Sequence, residues 1–525
     1  MKLTVYDTTL RDGCQDPRLS MSNKTKLEAA VLLDEFGMDY IELAWPVSEN
    51  DIKFFEQAQE LVKSSKIVAF SSTRKIKNTA EEDGFLNLAL RTGVDYITLF
   101  GKTWKQHVKK QLEATPEQNL EAIADSVKYL RNNGKTVFYD AEHFFDGYKD
   151  DKYYALKCLD TAIDAGASVI VLCDTNGGCL FDEITEITRE VKQHLDEKYQ
   201  GKVELGVHCH NDTDCATANT IAAVQQGASH VQGTVNGIGE RTGNVDLCTI
   251  LPNLVFKKGH SLNDTINLSK LKGLSKDIYE TVGLELVTNQ PYVGEGAFAH
   301  NGGIHVDAVI KGAAYDHFDP SLVGGTSKFA LSRNSGRATV VEVAKDFGYK
   351  TYKEDLRVKT MLEEVRRMNE RGYNISILEA EHYLLTEKHF GNYEDVFTVN
   401  DWHITSMRNK DSICKIWGNV HGQDAEALED IKGGPVDAAY KAIKQMVGDP
   451  HLDNVHLVHY GVEIPKSGSK GEASTVNVYI TFRNGDKEWT TVGNDPNIIE
   501  ASIEAISKGF RYYLLKTREK QKEAD

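Results

Sequence analysis

The sequence predicts an α/β protein: a closed (β/α)8 TIM barrel, then a mostly helical subdomain, then a C-terminal α+β domain. Three observations carry that prediction. Short apolar, β-branched-rich runs recur eight times through the first half of the chain, each followed by a helical pattern. Several helical patterns end in glycine just before the next run, at Gly37, Gly93, Gly134, Gly166 and Gly227, where a left-handed C-cap belongs. At 525 residues the chain is also too long for one hydrophobic core.

The strand-like runs fall at 3–8, 40–45, 66–71, 96–101, 136–141, 169–174, 205–210 and 230–235. Helical patterns between them include 24–36, 80–92, 116–132, 151–165, 181–198 and 215–227. Strict alternation implies a parallel sheet, and eight repeats favour closure into a barrel. An open doubly wound sheet is the alternative, but the first strand-to-helix turn has no glycine fingerprint for a dinucleotide. The barrel domain is expected over 1–264. The helical subdomain follows over 265–395, with a glycine-rich interruption at 294–303 and a densely charged, solvated stretch at 354–371. The third domain, 396–525, shows strand patterns around 397–409, 414–421, 454–464 and 473–483, with helices near 435–446 and 497–515. Gly433-Gly434-Pro435-Val436-Asp437 marks a helix start, with proline first and an acid in the first turn.

Composition narrows the function classes. Hydrophobic residues make up 40% and charged residues 26%, as in an ordinary soluble globular protein. The net charge of −17 argues against nucleic acid as a partner. The opening Met1-Lys2-Leu3-Thr4-Val5-Tyr6 leads directly into a strand pattern, and no apolar run is long enough to span a bilayer. No secretory signal and no membrane partner are therefore expected. Eight cysteines are scattered without a CxxC pair, which suits reduced thiols and a cytoplasmic location. An acidic chain cannot draw in anionic substrates by its overall field, so local cations must bind them.

Catalysis in such a barrel sits at the C-terminal ends of the strands. The first strand ends in Asp7-Thr8-Thr9-Leu10-Arg11-Asp12-Gly13, which alone is more often a salt-bridged loop than a site. The seventh carries His208-Cys209-His210-Asn211-Asp212, and strand alternation turns His208 and His210 to one face. Two imidazoles with a carboxylate make a three-ligand metal site with open positions; the bland alternative is two core or surface histidines. After the eighth strand, Gly237, Gly239 and Gly243 permit close backbone approach, and Asn244 offers a carbonyl oxygen to a divalent ion, unless this is a plain turn. Glu42 within the second strand needs a partner, and Arg11 is the nearest candidate. Asp140 and Glu142 share a face of the fifth strand, Thr175 follows the sixth, and Lys102 at the end of the fourth is a local cation for a carboxylate or phosphate.

The runs 7–13, 208–212 and 237–244 together resemble the DRE-TIM metallolyase superfamily. Within it they are similar to the Claisen-condensing synthases that form isopropylmalate, homocitrate and citramalate. The likeness continues through His300-Asn301-Gly302-Gly303-Ile304-His305-Val306-Asp307 and reaches the Gly-Pro-Val-Asp-Ala helix start at 434–438, which is similar to the regulatory domain of these synthases. The runs 42–46, 100–102 and 140–147 resemble the citramalate-forming branch.

That resemblance implies an acyltransferase that condenses acetyl-CoA with pyruvate, hydrolyses the thioester and serves isoleucine biosynthesis. Alternatives are condensation with 2-ketoisovalerate, as in isopropylmalate formation for leucine, and, more distantly, a lyase of the same superfamily. It implies a divalent metal (Mg, Mn, Co or Zn) on Asp12, His208 and His210, with Asn244 nearby or acting through water. Arg11, held by Glu42, would polarise the keto oxygen, and Thr175 would hold the keto acid's carboxylate. Lys102 and Asp140 would line the substrate site, and Glu142 would face acetyl-CoA. His305, Asp307 and Tyr315 would transfer protons, with the base left open among His305, Glu142 and a water on the metal. The third domain would form a homodimer and bind isoleucine as feedback inhibitor. Two departures stand out. Thr98 and Gly101-Lys102 occupy a strand where isopropylmalate synthases tend to carry histidine, and Asn301-Gly302-Gly303 with Ala308 departs from the commoner Ser-Ser-Gly…Gly pattern.

Overall fold

The structure is a computed structural model, and it describes residues 1–300, 316–391, 396–408, 411–465 and 475–524. Eight parallel strands form a closed barrel: β1 (Thr4–Asp7), β2 (Tyr40–Ala44), β3 (Lys66–Ser72), β4 (Tyr96–Lys102), β5 (Thr136–Glu142), β6 (Val169–Asp174), β7 (Glu204–Cys209) and β8 (His230–Gly233). Closure is made by β8 against β1, with Thr4 opposite His230 and Asp7 opposite Gly233.

Local sequence explains the outer helices. The Ser22 side chain accepts from the Thr25 amide to start the helix Asn23–Phe36. Thr115 and Gln118 form a reciprocal capping box around Pro116. The five glycines read as helix ends all have positive φ, from 77° to 111°. At Gly37 the requirement is strict, because a Cβ there would lie 2.2 Å from the Thr265 carbonyl oxygen.

Inside the barrel, the inward-facing residues change character along β2, β4, β5 and β8. Tyr40, Tyr96, Phe138 and His230 pack with Tyr6 as an aromatic floor, with ring centroids 5.1–6.2 Å apart. Two residues further on stand Glu42, Thr98, Asp140 and Gln232, all buried. Alternation thus lays a polar layer on an apolar floor, nearer the C-terminal ends of the strands.

The chain divides into two compact units: 1–297 with 319–326, and the described residues of 298–318 with 327–525. The helix Leu271–Val282 belongs to the first; Arg337–Asp346, Leu356–Glu370 and Glu379–Phe390 belong to the second. The C-terminal region repeats one pattern twice. Strands Phe397–Ser406, Ser412–Val420 and Gln423–Ile431 precede the helix Pro435–Val447; strands His456–Glu463, Val476–Asn484 and Lys487–Asp495 precede Ile498–Ala524. Each strand triplet is an antiparallel sheet. Sequence patterning finds only two strands of each triplet. The third strand of the first sheet is acid-rich, Gln-Asp-Ala-Glu-Ala-Leu-Glu-Asp-Ile, with only Ala427 and Ile431 buried. No helix among the described residues is long and apolar enough to cross a membrane.

Candidate active site

The mouth of the barrel is organised from β1. The Asp7 carboxylate accepts from the Thr9 amide at 3.0 Å and the Thr9 hydroxyl at 2.7 Å. The Thr8 carbonyl accepts from the amides of Arg11, Asp12 and Gly13. The chain is wound tightly there, and Arg11 and Asp12 are held side by side, with Arg11 Nη1 2.9 Å from Asp12 Oδ2.

Arg11 Nε donates to Glu42 Oε1, and its guanidinium carbon lies 3.9 Å from the centre of the Phe70 ring. Phe70 stacks in turn on Phe100 at 5.1 Å. Glu42 has no solvent exposure, and its second oxygen accepts from the Tyr6 hydroxyl at 2.5 Å. Tyr6 also lies 2.6 Å from Thr98 Oγ1. The buried carboxylate is thus charge-paired on one oxygen and hydrogen-bonded on the other, which is what burial of a charge demands.

His208 and His210 converge on Asp12. Their Nε2 atoms lie 3.5 and 3.7 Å from Asp12 Oδ2 and 3.3 Å from each other. Asn244 is paired to His210 by an isolated bridge, and its Nδ2 donates to Asp12 Oδ1 at 3.2 Å. Gly239 makes that approach possible: its φ is 155°, and a Cβ would sit 2.2 Å from Asn244 Nδ2. Burial would raise the Asp12 pKa, but Arg11 and His208 hold it well below the ordinary carboxylate range. Burial, with His208 beside it, drives the His210 pKa down to about 3. Burial also lowers the basicity of His208, yet the facing Asp12 more than offsets this and leaves its pKa raised.

These residues fit a divalent cation. One donor atom each from Asp12, His208 and His210 lie within 4.8 Å of one another, all buried. Two imidazole nitrogens 3.3 Å apart beside a carboxylate need a proton or a cation between them. Asn244 Oδ1 is buried without a hydrogen-bond partner among the described residues, as is fitting for a carbonyl oxygen reserved for a cation. The donor set holds nitrogen and oxygen and no thiolate.

Arg11, Asp12, Glu42, His208, His210 and Asn244 therefore form one connected cluster. Asp140 joins it through Gln232, whose Nε2 donates to Asp140 Oδ1 at 3.1 Å while its Oε1 lies 3.0 Å from His208 Nδ1. Burial, with Glu42 nearby, lifts the Asp140 pKa to about 7. Lys102 and Glu142 pair with each other at 2.5 Å, so the cation expected at the end of β4 is met by a carboxylate from β5. Thr175 Oγ1 accepts from the His143 amide at 2.8 Å. Among the described residues, no hydrogen bond ties these three to the cluster. His305, Asp307 and Tyr315 lie outside the described residues. Tyr6 and Gln232 were not singled out from the sequence. The available signal is their parity: each lies on the inward-facing row of its strand, in the rows that carry the aromatic floor and the polar layer above it.

Residues 2–278 match the HMGL-like family model, 292–373 the homocitrate synthase post-HMGL domain-like model, and 376–514 the LeuA allosteric (dimerisation) domain. With the closed barrel and the Asp-His-His cluster, this order of modules defines a transferase that converts an acyl group into an alkyl group on an HMGL-like barrel. The (R)-citramalate synthase of Sulfolobus acidocaldarius is 42% identical, over 97% of this chain and 96% of its own. That of Aquifex aeolicus is 38% identical, over 99% of both. The 2-isopropylmalate synthase of Methanocaldococcus jannaschii is 30% identical, over 99% of this chain and 96% of its own. The chain belongs to the (R)-citramalate synthase family.

Proposed function

We propose that the chain condenses acetyl-CoA with pyruvate and hydrolyses the resulting thioester, releasing (R)-citramalate and CoA for isoleucine biosynthesis. The observation that carries this reading is the full-length match to (R)-citramalate synthases at 42% and 38% identity. The second reading, condensation with 2-ketoisovalerate, is favoured by the 30% identity to a 2-isopropylmalate synthase.

In this reading Asp12, His208 and His210 hold a divalent cation (Mg, Mn, Co or Zn), with Asn244 beside it. The bound cation supplies Lewis acidity at the keto acid's carbonyl. Arg11 keeps a fixed positive charge where the keto oxygen becomes anionic; Glu42 and the Phe70 ring set its position before reaction, so no reorganisation is needed. Thr175 accepts from the His143 amide, which leaves its own hydroxyl proton to donate to the keto acid's carboxylate. Asp140 bounds the substrate site from β5. Lys102 lines the substrate site as a local cation, Glu142 faces acetyl-CoA, and Glu142 and His305 are the chain's candidates for taking the proton from the acetyl methyl group. Asp307 and Tyr315 complete the proton-transfer set. The methyl carbon then bonds to the keto carbon, the keto oxygen takes up a proton, and water cleaves the thioester.

We further propose a cytoplasmic homodimer whose C-terminal domain binds isoleucine as feedback inhibitor. The match of residues 376–514 to an allosteric dimerisation domain and the eight free cysteines support this.

The test is thiol release from acetyl-CoA with pyruvate and with 2-ketoisovalerate, compared as kcat/KM. The two acids differ by two methyl groups, a difference of about 1–3 kcal/mol per group in an apolar pocket. Preference for 2-ketoisovalerate would replace the first reading with the second. Thiol release with neither acid would sink both.

A further inference from the structure

Gln232 is fully buried on β8 and touches neither Asp12 nor His210 by any hydrogen bond. Its amide spans two groups on other strands: Oε1 lies 3.0 Å from His208 Nδ1 on β7, and Nε2 donates to Asp140 Oδ1 on β5 at 3.1 Å. An amide has distinct ends, one accepting and one donating, while an ionised carboxylate only accepts. Asp140 therefore selects the NH2 end, and the carbonyl end must face His208. An acceptor facing Nδ1 requires the proton on Nδ1; in the neutral imidazole, the form that can ligate a cation, this leaves the Nε2 lone pair directed at Asp12 and His210. The reversed amide would set two acceptors together at Asp140 and donate to Nδ1. The proton would then sit on Nε2, where a cation ligand cannot carry it.

We infer that Asp140 and Gln232 are positioning residues that set the tautomer of His208 for cation binding. Asp140 fixes the amide, and the amide fixes the imidazole. This rests on the reading of Asp12, His208 and His210 as a cation site. It assigns Asp140 a task separate from contact with substrate, and it gives a reason for a glutamine two residues beyond the aromatic floor. Outer partners of ligating histidines commonly alter metal affinity about 10–100-fold.

The probe is Co²⁺ alone, titrated into the full-length protein by calorimetry and by its visible absorption, at about pH 8 so that Asp140 is ionised. Gln232→Met keeps the volume and the Asp140 charge but removes the acceptor, and is expected to weaken Co²⁺ binding about 10–100-fold. Asp140→Asn is isosteric; because an asparagine can meet either end of the amide, it should weaken binding as well. Adding Gln232→Glu to Asp140→Asn should restore affinity, because a carboxylate facing His208 only accepts while the asparagine donates to it. If Gln232→Met does not fold, the isosteric single and double variants decide alone. Wild-type affinity in the single variants, or no recovery in the double, overturns the inference. A wild-type protein that takes up no Co²⁺ overturns the cation-site reading, and this inference with it.

Discussion

The Tyr6 hydroxyl donates to Glu42 at 2.5 Å, on the carboxylate oxygen that Arg11 does not use. Glu42 is therefore gripped from two sides: by a cation at the barrel mouth and by a phenol rising from the barrel floor. Tyr6 is itself fixed by packing against Tyr40, Phe138 and His230 and by Thr98 Oγ1 at 2.6 Å. Burial and the nearby Glu42 push its phenol pKa well above the ordinary value, so it remains a donor. The orientation of Arg11 is in this way inherited from the apolar floor.

Replacing Tyr6 with phenylalanine should test that inheritance. The ring packing survives, but one oxygen of a fully buried carboxylate loses its donor, at a cost of about 1–3 kcal/mol. Urea unfolding should show a lower midpoint with an unchanged slope. kcat should fall as well, since Arg11 is then anchored by a less constrained partner. An unchanged midpoint and an unchanged kcat would show that Glu42 needs only Arg11.

Arg11→Lys keeps the charge but cannot reproduce two directed N–H bonds to different carboxylates or the flat contact with Phe70. A drop in kcat of about 10²–10³ is expected, the range for loss of one oxyanion-stabilising donor. Circular dichroism should be unaltered. Near-wild-type turnover would remove Arg11 from the reaction.

Chelation should abolish activity, and Mg²⁺, Mn²⁺ or Co²⁺ should restore it to the wild type but not to His210→Ala. His210 is buried and neutral, with its pKa held at about 3, so the alanine variant removes a ligand without removing a charge. Its melting temperature in chelator should stay within a few degrees of the wild type. Full activity of His210→Ala after metal return would contradict the ligand set.

Much of this site was legible because it is local. Glycine caps, strand spacing and the i, i+2 histidines of β7 are written in short windows of sequence, and each survives folding unchanged. Arg11 over Phe70, Gln232 between His208 and Asp140, and Tyr6 beneath Glu42 are contacts between residues 24 to 92 positions apart, on different strands or on the turn after the first. No short window records them. The strands Gln423–Ile431 and Lys487–Asp495 were missed for another reason. The first is mostly acidic or small residues and the second has only Trp489 and Val492 as large apolar ones, so backbone pairing with the neighbouring strand does what apolar alternation usually does.

His230 gives a pH signature with a definite sign. Neither ring nitrogen has a hydrogen-bond partner among the described residues, and burial lowers its pKa from 6.5 to about 3. Between those values the unfolded chain binds the proton and the folded chain does not. Stability due to this group is intact above about 6.5 and is lost as pH falls toward about 3. His230→Phe keeps a ring among Tyr6, Tyr40 and Phe138 and removes the proton. The difference in unfolding free energy between wild type and variant should shift in the variant's favour by up to about 1.4 kcal/mol per pH unit on acidification. The opposite trend expected from Asp7 and Asp140, whose pKa values burial raises to about 7, is common to both proteins and cancels. A pH-independent difference would mean that the imidazole is protonated in the fold.

In the second unit, Lys508 lies between two carboxylates, 2.9 Å from Glu504 and 3.4 Å from Glu381, and donates to the Val492 carbonyl at 2.8 Å. Glu381 stands on the helix Glu379–Phe390 and accepts from the Val492 amide at 2.9 Å; Glu504 accepts from Tyr373 at 2.7 Å. One cation thus ties that helix to the last strand and last helix of the C-terminal region. Any chain ended near residue 396 would strip Glu381 of the Val492 amide and of Lys508 and uncover its helix, so the proposed response to isoleucine is to be tested on the intact protein. Lys508→Met should destabilise the second unit by about 3–5 kcal/mol, the cost of stranding a buried charge. Calorimetry should show the transition of that unit moving down in temperature while Co²⁺ affinity at the barrel stays at the wild-type value. Adding Glu381→Gln should recover part of the loss, because a neutral amide keeps the bond from Val492 without an unpaired charge. Were the single variant as stable as the wild type, Lys508 would be a surface cation and the tie between the helix and the sheet would be apolar packing alone.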